Sequence, residues 1–240
     1  MDRLAFVTGG TRGIGAAIST ILKHMGYRVA VNYHGRDDIA QDFTASTGIP
    51  AYKWDVGDFE SCQEGMRKVT EDQGTPDILV NNAGITRDNM CHKMSFQQWN
   101  EVLQTNLSSV FNMTSCVLDT MRSNEFGRIV NISSINGLKG QIGQVNYCAA
   151  KSGVIGFTKA LAQENAAKGI TVNAVAPGYV NTEMVQAVPE NIMTNILNTV
   201  PMHRLGQPEE VAGLVAYLCS KEAGYITGST FNINGGQYLQ

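Results

Sequence analysis

Residues 8–15 read Thr-Gly-Gly-Thr-Arg-Gly-Ile-Gly and separate an apolar run, Leu4-Ala5-Phe6-Val7, from a stretch with helical periodicity. The apolar residues of that stretch recur at helical spacing and are Ile14, Ile18, Ile21, Leu22 and Met25. A glycine-rich turn between a strand and a helix lets the backbone approach a phosphate, and the helix N-terminus supplies amide donors. A tight structural turn would also select glycine. The preferred interpretation is a dinucleotide-binding turn, with candidate residues Gly9, Arg12, Gly13, Ile14 and Gly15.

Short apolar runs alternate with amphipathic stretches along the rest of the chain. Beyond residues 4–7, strands are predicted at 28–32, 51–54, 77–81, 128–132, 171–175 and 230–233. Helices are predicted at 14–25, 38–47, 58–72, 97–121, 146–167 and 208–219. This order predicts one α/β domain over residues 1–240, a doubly wound, seven-stranded parallel sheet flanked by helices on both faces. Residues 180–208 break the alternation and are predicted to form an irregular lid.

The composition is that of a globular chain with a full core. Hydrophobic residues make up 43% of the 240 residues and charged residues 16%, which excludes a disordered or coiled-coil protein. The net charge of −3 argues against a nucleic-acid partner, because nucleic-acid-binding domains are usually basic. No apolar run reaches the roughly 18 residues of a membrane span, and residues 1–8 do not resemble a secretory signal.

The cysteines and histidines do not form a ligand or disulfide pattern. Five widely spaced cysteines predict free thiols in a reducing compartment, so a cytoplasmic location is expected; they are Cys62, Cys91, Cys116, Cys148 and Cys219. No metal site is predicted, because metal-ligand spacing is absent around His24, His34, His92 and His203.

The end of the second predicted strand bears on the choice of cofactor. It reads Val31-Asn32-Tyr33-His34-Gly35-Arg36, with no carboxylate before Asp37. An NAD site usually has Asp or Glu here to hold the ribose 2′-hydroxyl, and a carboxylate would repel the 2′-phosphate of NADP. With Arg12 and Arg36 as candidate phosphate ligands, the sequence favours NADP, bound as NADPH. Asn32 joins this predicted cofactor site, and the alternative for Arg36 is an ordinary solvated charge.

Tyr147 and Lys151 are four residues apart on a predicted helix and therefore share one face. An ammonium beside a phenol favours the phenolate and lowers its pKa, so that the tyrosine can act as a general acid or base. Ser133 and Ser134 end the preceding strand, at the edge where ligands bind in open α/β sheets. A Tyr-x-x-x-Lys pair alone is common on protein surfaces. Together with the glycine turn, it predicts a catalytic site.

Five motifs resemble the short-chain dehydrogenase/reductase family: T-G-G-T-R-G-I-G at 8–15, N-N-A-G at 81–84, N-I-S-S at 131–134, Y-C-A-A-K at 147–151 and P-G at 177–178. The resemblance extends from about residue 4 to residue 236 and implies a Rossmann fold and an NADPH-dependent ketone reduction. The family's serine lies 13 residues before its tyrosine, which implies Ser134 rather than Ser133. Its catalytic asparagine, which holds a proton-relaying water, matches Asn106.

The resemblance also implies a role for each residue. Ser134 and Tyr147 would hydrogen-bond the developing alkoxide, Tyr147 would donate the proton, and Lys151 would lower the Tyr147 pKa and hold the nicotinamide ribose. Further cofactor contacts are implied at Asp55, Val56, Asn82, Ala83, Gly84, Pro177, Gly178, Val180 and Thr182.

Residues 82–88, 136–144 and 177–180 are most similar to family members that reduce acetoacetyl-CoA in polyhydroxybutyrate synthesis. This implies an acyl-CoA pocket lined by Asp88, Gln141, Gln144 and Tyr179; the alternative for the two glutamines is a solvent-facing loop position. The near alternative is reduction of 3-oxoacyl groups on acyl carrier protein in fatty acid synthesis. That acidic partner would need a basic patch, for which the candidates are Arg87, Lys93, Arg122, Arg128 and Lys139.

A remote alternative is a non-catalytic NADP-sensing scaffold, which would be expected to lack the catalytic residues. Members of the family usually form homotetramers, so a homotetramer is expected here.

Overall fold

The structure, a computed structural model, describes residues 3–186 and 190–239. Within these residues one sheet contains seven strands, and every neighbouring pair is parallel. The strands are β1 (Leu4–Val7), β2 (Arg28–Tyr33), β3 (Ala51–Lys53), β4 (Ile78–Asn81), β5 (Gly127–Ile132), β6 (Ile170–Pro177) and β7 (Thr230–Ile233). Their spatial order is β3-β2-β1-β4-β5-β6-β7, which confirms the predicted doubly wound parallel sheet.

Helices connect the strands of this sheet. They are α1 (Gly13–His24), α2 (Asp37–Thr47), α3 (Phe59–Gln73), α4 (Phe96–Leu103), α5 (Ser109–Ser123), α6 (Asn136–Lys139), α7 (Val145–Asn165), α8 (Glu183–Gln186), α9 (Glu190–Asn198) and α10 (Pro208–Cys219). Short 3-10 helices lie at Cys91–Lys93 and Ala166–Lys168, and a π-helical turn at Gln104–Ser108. Among the described residues, no helix combines the length and the apolar character that crossing a membrane requires.

The two faces of the sheet carry separate apolar clusters. On one face, Val7 belongs to a cluster with Leu22 of α1 and Val215 of α10. On the other face, Phe6 belongs to a cluster with Val117 of α5. Successive side chains of a strand point to opposite faces, so the fully buried β1 requires helices on both sides. The prediction of helices on both faces is therefore confirmed.

The winding of the sheet reverses at β1, which lies between β2 and β4. Val7 pairs in register with Val31 of β2 and Val80 of β4, so these three strands end at nearly the same level. Ligands of open α/β sheets bind beyond the carboxyl ends of the strands at such a reversal. The turn after β1 and the loop after β4 therefore meet where a cofactor is expected.

Two segments differ from the sequence prediction. The helix predicted at 97–121 is interrupted by the π-helical turn at Gln104–Ser108, which separates α4 from α5. The lid segment 180–208, predicted to be irregular, contains α8 and α9, and Val180 is bridged to Gly206. Residues 187–189 of that segment lie outside the described residues.

Candidate active site

The glycine turn is held against the loop after β4 by the buried hydroxyl of Thr8. Thr8 Oγ1 accepts hydrogen bonds from the backbone N–H groups of Asn82 (2.9 Å) and Ala83 (3.0 Å). The Asn82 side chain donates in return to the carbonyls of Thr8 (3.0 Å) and Gly9 (3.1 Å). A Cβ on Gly15 would lie 2.1 Å from the Gly9 carbonyl oxygen, so only glycine fits there. These contacts bring together two motifs that the sequence analysis treated separately, and they add Thr8, which it did not single out.

A cavity of about 740 Å³ lies above the carboxyl edge of the sheet. It is lined by every residue predicted to bind the cofactor and by three of the four predicted catalytic residues, the exception being Asn106. Ile85, Thr86, Arg87 and the α4 residues Asn100 and Glu101 also line it, although the sequence analysis named none of them as cofactor or catalytic residues.

Lys151 is buried beside the predicted catalytic tyrosine. Its Nζ lies 5.6 Å from the centroid of the Tyr147 ring, and its side chain donates a 2.8 Å hydrogen bond to the Ile132 carbonyl. Only 3% of Lys151 is exposed, and this burial lowers the pKa of its ammonium to about 8. Lys151 can therefore exchange a proton close to neutral pH, which an exposed lysine does not do.

The phenol of Tyr147 has the opposite shift. Burial raises the pKa of Tyr147 to about 12, and a hydrogen bond with Ser134 acts in the lowering direction. The charge of Asp88 raises the pKa further. The expected lowering of the Tyr147 pKa by Lys151 is therefore not found in the chain by itself. Desolvation of the phenolate outweighs the other effects, and Tyr147 remains protonated at neutral pH.

Asn106 is held in place by the π-helical turn. Its Nδ2 donates to the carbonyls of Val102 and Ile85, both at 2.9 Å, and its Oδ1 accepts from the Ile85 N–H at 3.2 Å. A Cβ on Gly84 would lie 2.6 Å from Asn106 Oδ1 and 3.6 Å from Lys151 Nζ. Asn106 thus lies behind Gly84 and braces the loop after β4. π-Helical turns often occur at functional sites, but apolar periodicity in the sequence carries no signal for this one.

The two arginines predicted to contact the cofactor phosphate have carboxylate partners. Arg12 Nη1 lies 3.4 Å from Glu183 Oε2 of α8. Arg36 donates from Nε (2.9 Å) and Nη2 (2.7 Å) to the two carboxylate oxygens of Asp38. Both pairs are mostly exposed, so their carboxylates can be exchanged for another anion at low cost. Asn32, in contrast, is buried and donates to the Trp54 carbonyl at 3.0 Å.

The four residues predicted to line an acyl-CoA pocket do not line the large cavity. Gln144 Nε2 donates to Asp88 Oδ2 at 2.7 Å, and Gln144 Oε1 accepts from Asn136 Nδ2 at 2.9 Å. Tyr179 lines a second cavity, of about 420 Å³, and the pKa of its phenol is raised by burial and by the charge of Asp88. Gln141 is exposed and accepts a hydrogen bond from Lys139.

The basic residues considered for a carrier-protein patch lie at both ends of the sheet. Arg128 is 5% exposed at the start of β5, where it donates to the carbonyls of Gly127 and Ser220. Arg122 lies in the last turn of α5, which leads into the same end of β5. Of these five basic residues, only Arg87 lines the large cavity, and its Nε lies 2.7 Å from a carboxylate oxygen of Glu101. Arg122 and Arg128 therefore lie away from the carboxyl edge and cannot belong to a patch at its rim.

The whole length of the chain is similar to known reductases. A family model described as enoyl-(acyl carrier protein) reductase matches residues 9–237. The chain is 61% identical over 240 residues to an acetoacetyl-CoA reductase of Shinella zoogloeoides, covering 100% of both chains. An acetoacetyl-CoA reductase of Cupriavidus necator is 46% identical over 249 residues, covering 99% of both. A 3-oxoacyl-(acyl-carrier-protein) reductase of Haemophilus influenzae is 45% identical over 245 residues, covering 99% of this chain and 98% of that protein.

Proposed function

The chain belongs to the short-chain dehydrogenase/reductase family, and from this premise we propose that it reduces the 3-oxo group of acetoacetyl-CoA to 3-hydroxybutyryl-CoA with NADPH. The observation that carries the proposal is the wall of the large cavity on which Ser134, Tyr147 and Lys151 lie together. The 61% identity to an acetoacetyl-CoA reductase over the whole chain supports this substrate.

The residues of the cavity fit a nicotinamide dinucleotide. The backbone at Gly9 and Gly15 is too close for any Cβ on Gly15, and α1 begins in the cavity wall at Gly13, where a helix N-terminus can offer amide groups to a phosphate. The first turn of α1 has no acidic residue that would repel an anion. Arg12 and Arg36 line the cavity at the end that would receive a 2′-phosphate, which supports NADPH over NADH. When bound, NADPH supplies the hydride for the reduction.

Two side chains then contact the substrate oxygen, and a third, Lys151, acts on Tyr147. The Tyr147 phenol, protonated at neutral pH because of its raised pKa, gives its proton to the oxygen as negative charge develops there. Ser134 donates a second hydrogen bond to the same oxygen and stabilises that charge. Lys151, with its pKa lowered to about 8, can return a proton toward Tyr147. Asn106 braces the loop beside Gly84 through its hydrogen bonds to Ile85, and a role for it in holding a relaying water remains a prediction.

The second candidate substrate is a 3-oxoacyl group on acyl carrier protein. The 45% identity to a reductase of that class favours it. The positions of Arg122 and Arg128, away from the carboxyl edge of the sheet, argue against it because they remove two of the five candidate docking charges. Reduction of the 3-oxo group of the CoA-bound substrate therefore remains the preferred proposal.

We also propose that the chain forms a homotetramer. The rings of Phe59 on α3 and Phe111 on α5 stack with centroids 6.2 Å apart, and both are exposed. Phe96, at the start of α4, is 80% exposed. Exposed aromatic patches of this kind often mark protein interfaces. Light scattering in solution would test this, and a monomeric mass would contradict it.

The proposed reaction is tested by NADPH oxidation with acetoacetyl-CoA, measured beside acetoacetyl-carrier protein and beside NADH. We expect the highest kcat/KM for acetoacetyl-CoA with NADPH. A higher kcat/KM for the carrier-protein substrate would transfer the assignment to the second candidate and leave the mechanism intact. Absence of turnover with both substrates, at normal NADPH affinity, would contradict the proposed reaction and favour a non-catalytic scaffold.

A further inference from the structure

A chain of side-chain contacts extends from the surface to the predicted catalytic serine. Asp88 accepts a hydrogen bond from Gln144 Nε2 at 2.7 Å, and Gln144 Oε1 accepts from Asn136 Nδ2 at 2.9 Å. The backbone N–H of Asn136 donates to Ser134 Oγ at 3.1 Å. Asp88 is 56 residues from Gln144 along the chain, so the tertiary fold assembles this path.

The charge of Asp88 sets the direction of the two side-chain bonds in this chain, whereas the backbone N–H of Asn136 can only donate. A carboxylate only accepts hydrogen bonds, so Gln144 must turn its NH₂ group toward Asp88. Its carbonyl oxygen then faces Asn136, which must present its own NH₂ group in turn. One charge at the outer end thus decides the orientation of two amides.

The Asn136 side-chain amide is oriented by Gln144 and not by its other neighbours. Asn136 is 8% exposed, and its Oδ1 has no hydrogen-bond partner within the part of the chain that the structure describes. A buried acceptor without a partner is unfavourable. The bond to Gln144 is therefore the contact that holds this side chain, and through it the backbone N–H that reaches Ser134.

The bond from Asn136 determines what Ser134 can do. A serine hydroxyl has one proton and accepts through its lone pairs. Because Ser134 Oγ accepts from the Asn136 N–H, its own proton is directed away from Asn136 and toward the Tyr147 phenol, with which Ser134 is hydrogen-bonded and beside which the substrate oxygen would lie. We propose that Asn136 is a positioning residue for Ser134, and that Asp88 controls it through Gln144.

This inference rests on the proposed function, because it gives Ser134 the role of a hydrogen-bond donor to the substrate oxygen. It changes the expected roles of Asp88 and Gln144. The sequence resemblance implied that both line the acyl-CoA pocket, whereas both polar groups of the Gln144 amide are already hydrogen-bonded. Their effect on the reaction is therefore exerted through Ser134.

Reversing the chain tests this proposal. In Asn136→Asp, the new carboxylate needs the Gln144 NH₂ group, which would leave the Gln144 carbonyl facing Asp88, an unfavourable contact between two acceptors. In Asp88→Asn/Asn136→Asp, both side-chain bonds can form in the opposite direction, from the new amide at position 88 to Gln144 and from Gln144 to the new carboxylate at position 136. Asp72→Asn/Asn136→Asp is the matched control, since it removes a distant charge on α3 and leaves the conflict in place.

We expect Asn136→Asp to lower kcat about thirtyfold in the wild-type background, since a misdirected donor to a developing oxyanion costs nearly as much as a missing one. The same change should lower kcat by less than about fivefold in the Asp88→Asn background, and again by about thirtyfold in the Asp72→Asn background. In the Ser134→Ala background it should cost less than about threefold, because Asn136 acts through Ser134. KM for NADPH should stay unchanged throughout.

An equal cost of Asn136→Asp in all four backgrounds would overturn the proposal. If Asn136→Asp does not fold, Gln144→Met is used instead. Gln144→Met must then lower kcat in the wild-type background and leave kcat unchanged in the Ser134→Ala background. Failure of the proposed function would appear separately, as wild-type protein that does not reduce acetoacetyl-CoA, and the ratios would then be measured with any ketone that it does reduce. Without any turnover, crystal structures decide: Ser134 Oγ must leave its position in Asn136→Asp and return to it in the Asp88→Asn double variant.

Discussion

The two ends of the large cavity are built in different ways. At the predicted catalytic end, Lys151 lines the cavity and Asn106 lies behind Gly84; both are buried and donate to backbone carbonyls at 2.8–2.9 Å. At the opposite end, the guanidinium groups of Arg12 and Arg36 are exposed and pair with the exposed carboxylates of Glu183 and Asp38. A buried polar group must keep its partner, whereas an exposed ion pair contributes little and can exchange its partner for a ligand.

Because of this difference, we expect the two ends of the cavity to have different roles. Burial shifts the pKa values of Tyr147 and Lys151, and fixed hydrogen bonds hold Lys151 and Asn106 in one geometry; proton transfer and oxyanion stabilisation require both properties. The exposed arginine side chains stay flexible and attract an anion electrostatically. Salt screens this attraction beyond about 10 Å at 0.1 M ionic strength. Substitutions at the catalytic end should therefore change kcat, and substitutions at the opposite end should change cofactor selectivity and its dependence on salt.

The largest effect is expected for Tyr147→Phe, which removes the proton donor and keeps the ring. We expect kcat to fall about a hundredfold to ten-thousandfold, as for the loss of a general acid. NADPH binding, measured by fluorescence titration, should change far less. Unchanged turnover in this variant would contradict the mechanism.

The neighbouring serines offer a comparison within the catalytic end. Ser134→Ala should lower kcat about a hundredfold or more, since it removes a hydrogen-bond donor to the developing oxyanion. Ser133 instead donates to the Lys151 carbonyl at 2.8 Å, so Ser133→Ala should mainly lower the free energy of unfolding, by about 1 kcal/mol. Steady-state kinetics and urea unfolding of both variants would test this, and a larger loss of kcat in Ser133→Ala would reverse the assignment.

Burial of Lys151 should make stability depend on pH. The pKa of Lys151 is about 8 in the folded chain, against an ordinary value of 10.5. Between these two pH values the unfolded chain binds more protons than the folded chain, so the free energy of unfolding rises with pH. The wild type should gain about 3 kcal/mol relative to Lys151→Met from pH 8 to pH 10.5. Urea unfolding of both proteins across this window measures the gain, and a pH-independent difference would contradict it.

At the exposed end, Arg36→Gln should lower kcat/KM for NADPH about tenfold, the cost of one charged hydrogen bond to phosphate. kcat/KM for NADH should not change, because NADH has no 2′-phosphate. Arg67→Gln, which removes an exposed arginine paired with Glu71 on α3, is the matched control. Equal losses with NADPH and NADH would show that Arg36 supports the fold rather than the phosphate.

The smallest effect, with the opposite sign, is expected for Glu183→Gln. Removing this carboxylate frees Arg12 and removes a repulsion from the phosphate, so kcat/KM for NADPH should rise about threefold at low salt. The gain should shrink at high salt and be absent with NADH. Glu71→Gln provides the charge-matched control. A loss of NADPH activity would instead indicate that the Arg12–Glu183 pair supports cofactor binding.

The parts of the site that could be predicted are those that depend on local spacing. The glycine turn follows from residues 8–15, and the shared face of Tyr147 and Lys151 follows from four residues of separation on a helix. The strands were located because buried parallel strands appear as short apolar runs. The bounds of α10 were predicted as observed, since Pro208 starts a helix with a clear apolar pattern.

The π-helical turn could not be predicted, because its one inserted residue changes the apolar periodicity too little to be recognised. The hydrogen bond from Lys151 Nζ to the Ile132 carbonyl and the burial that raises the pKa of Tyr147 both depend on how α7 packs against the sheet. Helices α8 and α9 also escaped prediction, since α8 has only four residues and the apolar period of α9 extends over only nine.

The sequence by itself determined the parallel α/β fold, the glycine turn after β1 and the shared helix face of Tyr147 and Lys151, because strand and helix periods relate residues that are close together in the chain. Only the tertiary structure decided which carboxylates pair with Arg12 and Arg36, how Asn106 braces Gly84, and how Asp88 reaches Ser134. These contacts join residues far apart in the chain, and burial, which sets both their partners and their pKa values, exists only once the elements have packed.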